Sequence, residues 1–127
     1  MSQVIKEFVR QTLGCDCPQE VFNFIDCQRI VKIDENTKPD YQINIGNRLL
    51  IFVVMIDKTD SLKKIIPNLV QAGIKKRNEN KFNRFRLVLL TTKTNDTAQQ
   101  AKVIFNSILT DDKTHLHIID VNDFPKI

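Results

Sequence analysis

The chain has 127 residues, 42% hydrophobic and 27% charged, with no Trp, one Tyr and eight Phe. That balance is the one of a globular chain, and the length favours a single domain spanning 1–127. The longest apolar run, LLIFVVMI at 49–56, has a strand's length and is far short of the roughly 20 residues a membrane-spanning helix needs. Three cysteines is an odd number, which excludes complete internal pairing.

In chain order, Val4, Ile5, Phe8, Val9 and Leu13 fall at helical spacing and predict a helix over 3–13, with Ser2 as its N-cap and Gly14 as its stop. The stretch CPQEVFNFI predicts a second, short helix, with Cys17 as N-cap, Pro18 in the first helical position and Glu20 in the first turn. Three strands follow. CQRIVKID (27–34) alternates loosely, ENTKPD (35–40) is a turn, and YQINI (41–45) alternates cleanly. Gly46-Asn47 is a hairpin signal. RLLIFVVMI (48–56) is apolar on both faces and predicts a central strand. A helix over 60–78 should kink or restart at Pro67. NRFRLVLLTT (83–92) is a strand, 96–109 a helix, and THLHIIDV (114–121) a last strand. The expected fold is α/β: a mixed five-stranded sheet with helices on both faces, in the order α-α-β-β-β-α-β-α-β.

All three cysteines lie in LGCDCPQEVFNFIDC (13–27). Cys17 at a helix N-terminus would face unpaired N–H groups that stabilise a thiolate. Cys15 and Cys17 form a C-x-C pair that can exchange disulfides or chelate a soft metal. Zinc or an iron–sulfur cluster would need further ligands, for which Cys27, His115 and His117 are the candidates. The alternative is that these cysteines are small apolar filler, and that His115 and His117 mark an exposed strand face. LGCDCPQEVF, after KEFVRQT, resembles the opening of a group of small uncharacterised prokaryotic proteins that begin LGCxCPxEVF. That resemblance spans about the first 25 residues, implies no defined activity, and treats Gly14, Cys15, Cys17 and Pro18 as a unit.

Charge is unevenly spread. The net charge is +4 overall, yet 61–86 holds eight bases (Lys63, Lys64, Lys75, Lys76, Arg77, Lys81, Arg84 and Arg86) against one acid, Glu79. With Phe82 and Phe85 nearby, this segment is a candidate surface for nucleic acid or an acidic protein. Its alternative is the solvated face of a helix and a strand entry.

Other chemistries find no support. The α-β-β-β-α-β portion resembles the core of restriction-endonuclease-like nucleases, but Asp57 is followed directly by Lys58 where D/E-x-K is required. Gly14, Gly46 and Gly73 are isolated, which excludes a glycine-rich phosphate loop. The carboxyl ends of the parallel strands offer Asp57, Thr59, Asp60, Thr91, Thr92, Lys93 and Asp120 to a small ligand, although Asp60 and Asn95 are also natural helix caps.

The opening MSQVIKEFVRQTL mixes acids and bases into its apolar positions, unlike a secretory signal. A cytoplasmic chain with mostly reduced thiols and no membrane partner is therefore expected. Two functions remain: a thiol module built on Cys15 and Cys17, or a non-enzymatic adaptor using the basic face of 63–86. A scaffold whose TKPD turn and Phe-rich surfaces contact another protein is a third.

Overall fold

A computed structural model describes residues 2–14, 17–29, 38–56, 62–108 and 111–125. The first helix, α1 (Ser2–Glu7), runs directly into a π-helical stretch, Phe8–Thr12. The Leu13 amide reaches back to the Phe8 carbonyl at 3.1 Å, and Gly14 leaves with φ +68°. That left-handed turn is the glycine stop the sequence predicts. The second helix is a five-residue 3-10 turn, Gln19–Asn23. The strands are β1 (Ile25–Arg29), β2 (Tyr41–Ile45), β3 (Leu49–Met55), β4 (Arg84–Thr91) and β5 (Thr114–Asp120). Helix α2 (Leu62–Glu79) joins β3 to β4, α3 (Thr94–Ser107) joins β4 to β5, and a 3-10 turn, Val121–Asp123, follows. The element order is the expected one.

The sheet order is β1-β2-β3-β4-β5, antiparallel across the first three strands and parallel thereafter. Gly46 (φ +61°) and Asn47 (φ +57°) both take positive φ, the signature of a type I′ turn, and the Arg48 amide closes it on the Ile45 carbonyl at 3.1 Å. Gly46 is also crowded. A Cβ there would lie 2.5 Å from the Val21 carbonyl oxygen, so the 3-10 turn seats directly on the hairpin.

Both crossovers step the same way along the sheet. Right-handed connections then place α2 and α3 on one face. That face buries Leu50, Phe52, Phe85, Leu87 and Leu89 under Leu62, Ile66, Leu69, Val70 and Ala101. The other face, carrying Ile43, Ile45, Leu49, Ile51, Val53, Val88 and Leu90, is covered by Ile5, Phe8, Val9, Leu13, Val21 and Phe22. β3 is buried on both sides from Leu49 to Val54, as its sequence requires of a central strand.

Several local expectations are corrected. The first strand begins two residues earlier than predicted, at Ile25, and residues 30–34 lie outside the described segments. One helix runs through Pro67. Proline stands early in it, where only the bond back to Lys63 is lost, and the buried stripe Leu62, Ile66, Leu69, Val70 holds the helix as one element. The N-cap of α3 is Lys93 and not Asn95, which lies within the first turn. The Thr97 amide bonds the Lys93 carbonyl at 3.1 Å, and the Thr97 hydroxyl is buried 3.4 Å from that of Thr91. Asp57, Lys58, Thr59 and Asp60 lie outside the described residues. No helix among the described residues is long and apolar enough to cross a membrane.

Candidate functional site

The strand order never reverses direction, so the sheet lacks the switch point that opens a crevice at the carboxyl ends of parallel strands. Two of the polar side chains expected there, Thr91 and Asp120, are engaged locally, while Asp57, Thr59 and Asp60 lie outside the described residues. The Thr91 hydroxyl accepts from the Lys93 amide at 3.0 Å, and Asp120 accepts from the Asn122 amide at 2.8 Å.

A pocket of about 320 Å³ opens instead at the amino ends of β3 and β4. It is lined by Cys17, Pro18, Val21, Ile45, Arg48, Leu49, Asn83 and Arg84. Val21, Ile45 and Leu49 are buried and form an apolar floor; Pro18, Arg48, Asn83 and Arg84 are exposed. Parallel register sets Leu49 beside Arg84. The Arg48 carbonyl then accepts both the Asn83 amide (2.8 Å) and the Arg84 amide (3.0 Å), which fixes the two arginines side by side. Neither has a carboxylate partner among the described residues.

Cys17 stands in the pocket wall, half-buried and disulfide-bonded. The expectation of reduced thiols is thus not met at this sulfur. A third arginine steadies it from behind: the Arg10 guanidinium stacks 5.0 Å from the Phe22 ring and donates to the Cys17 carbonyl at 3.4 Å. Cys17 is not a helix N-cap. Pro18 holds that position, in an extended conformation (φ −57°, ψ 148°), and the helix it opens has only five residues. The helix-dipole support expected at Cys17 is therefore not provided, and the charged residues that share its pocket lining are Arg48 and Arg84. Cys15 lies outside the described residues.

The other cysteine is a different object. Cys27 is a free, half-buried thiol in edge strand β1, opposite Ile43 and packed on the apolar cluster. Burial, and next the neighbouring Asp26, push its pKa up against a smaller opposing pull from Arg29. It is mostly protonated at neutral pH and a weak nucleophile.

His115 and His117 share a face of β5, as their spacing requires, but their neighbours there are cations. His115 is opposite Arg86 in the parallel register. The Arg86 Nη1 donates to His117 Nε2 at 2.8 Å and to the Leu13 carbonyl at 2.8 Å. An arginine only donates, so this His117 nitrogen carries its lone pair toward Arg86. Desolvation first, then Arg86 and His115, hold the His117 pKa down at about 4; desolvation, Arg86 and Arg84 lower that of His115. Among the described residues, no group of three or more His, Cys, Asp or Glu is arranged to hold a metal ion. The zinc or iron–sulfur set drawn from Cys17, Cys27, His115 and His117 is not brought together there.

The basic segment is dispersed. Lys63, Lys64, Lys75, Lys81 and Arg84 are exposed, and Lys75 approaches Glu79 at 3.9 Å. Lys76 donates to the Gln42 side chain at 2.8 Å. Arg77 is buried and forms a two-point ion pair with Asp111, at 3.1 and 2.5 Å, plus a bond to Thr114 at 3.2 Å. Arg86 is buried beneath Leu13. Phe85 is fully buried on the opposite face from Arg84 and Arg86. Two of the eight bases and one of the two aromatics are therefore withdrawn from any surface the segment presents.

Arg48 and Asn83 escaped sequence reasoning. They are 35 positions apart and meet only because β3 and β4 start together. The available signal was the pairing itself: a base before each of two adjacent parallel strands. Comparison of the chain with protein-family models, with curated proteins and with solved structures returned no match.

Proposed function

We propose that the chain is a thiol–disulfide exchange module whose reacting sulfur is Cys17, with Cys15 as the second cysteine of the C-x-C pair. The supporting observation is the placement of Cys17: a disulfide sulfur in the wall of a pocket lined also by two arginines that have no ion-pair partner among the described residues. Guanidinium groups beside a sulfur favour its thiolate, which is both the attacking and the leaving form in exchange. The adaptor reading is less well supported, because Arg77 and Arg86 are buried.

The test is a redox titration read by alkylation and intact mass. An exchange module should titrate near the values of exchange proteins, about −180 to −270 mV, with Cys17→Ser abolishing the transition and Cys27→Ser preserving it. A midpoint below about −300 mV marks a structural disulfide and overturns the proposal.

A further inference from the structure

We infer that the pocket beside Cys17 receives a small thiol bearing carboxylate groups, so that the exchange partner is an anionic low-molecular-weight thiol. This deepens the exchange reading and rests on it.

The pocket supplies three things such a molecule needs. At about 320 Å³ it falls at the small end of the range for small-molecule sites. Its floor of Val21, Ile45 and Leu49 suits a short carbon skeleton. Its rim presents Arg48 and Arg84, two planar donor forks matched to carboxylate oxygens. The two backbones are held together at this point, since the Arg48 carbonyl accepts the Asn83 and Arg84 amides. No carboxylate of the described chain already occupies either fork. Asn83, also in the lining, adds an amide that both donates and accepts.

The reaction balances as follows. The carboxylates of the small thiol RSH dock on the arginines, and its thiolate attacks Cys17 Sγ. The protein S–S bond breaks, its electron pair leaves on the other sulfur, and a mixed disulfide R–S–Sγ forms. A second RS⁻ attacks the R-side sulfur and expels the Cys17 thiolate. Two RSH are oxidised to RSSR and the protein disulfide is reduced to two thiols, with both protons retained.

The experiment measures reduction of the oxidised protein by mercaptosuccinate, 2-mercaptoethanol and cysteamine, with rates expressed per thiolate. At low salt the anionic thiol should outrun the neutral one by about tenfold or more, and the cationic one should be slowest. High salt should bring the three together, a readout that needs no variant. Arg48→Gln and Arg84→Gln should each lower the anionic-to-neutral ratio, while Lys102→Gln, far from the pocket, should not. Reduction by all three thiols at equal, salt-independent rates would overturn the substrate class and leave the exchange reading standing. No reduction at Cys17 by any of them overturns both.

Discussion

Each face of the sheet buries one arginine, and the two are treated in opposite ways. On the helical face, Arg77 reaches across 34 residues to a carboxylate that grips it at two points, with Thr114 completing the set. Asp111 is held well below the ordinary carboxylate range, first by the bond from Arg77. On the other face, Arg86 is as deeply buried, at 7% exposure against 5%, but its partners are a carbonyl and an imidazole. Its Nε has no hydrogen-bond partner among the described residues, and burial lowers its own pKa. One arginine locks a helix to a strand loop. The other is a buried cation with no carboxylate partner among the described residues. The helical face is thus closed by matched chemistry, and the face bearing the pocket by packing and neutral acceptors.

The largest test of that contrast removes each arginine in turn. Arg77→Met should cost about 2 kcal/mol, because it removes the charge-assisted bonds to the partly exposed Asp111 and leaves the buried Thr114 short of a donor. Arg86→Met should cost about 1 kcal/mol or less, because the neutral acceptors it strands are offset by removing an uncompensated charge. Urea unfolding of both variants measures the difference, and equal losses would erase the distinction.

Next comes packing on the helical face. A Cβ at Gly73 would fall 2.1 Å from Cζ of the fully buried Phe85. Gly73→Ala should therefore destabilise by about 2 kcal/mol despite a gain of about 1 kcal/mol in helix propensity. A double variant, Gly73→Ala with Phe85→Leu, should recover part of the loss by making room.

The smallest effect separates the faces by pH. His117 has a folded pKa of about 4 against an ordinary 6.5. As pH falls from 6.5 to 4 the unfolded chain takes a proton the folded one refuses, so stability drops by about 1–2 kcal/mol after allowance for partial exposure. Asp111 contributes stability above its ordinary value of 3.8 and loses it as pH falls further, toward its lower folded pKa. Chemical unfolding at a series of pH values should show the first loss vanish in His117→Gln while the second persists.

Much of this architecture was legible in the chain. Alternation in YQINI, the doubly apolar LLIFVV run and the Gly46-Asn47 turn are local signals, and each names its own structure. What stayed hidden is what only distant residues decide. Counting bases over 61–86 cannot reveal that Arg77 is claimed by Asp111 or that Arg86 lies under Leu13. Cys17 was placed at a helix N-terminus because QEVFN follows a proline. Five residues cannot sustain an α-helix alone, and the contacts of Val21 on Gly46 shape that turn instead. Which strand ends open into the pocket beside Cys17 was hidden too, because a sequence does not show whether the sheet order reverses.

The sequential strand order also sets a timetable for synthesis. Each strand pairs with its predecessor, so the sheet can grow in step with an elongating chain. The exception is the segment 2–14. The Leu13 carbonyl waits 73 residues for the Arg86 guanidinium, and Phe8 waits for Phe124, whose ring meets its own at 5.1 Å. Until β4 and Phe124 are in place, the apolar side of 2–14 lacks part of its cover.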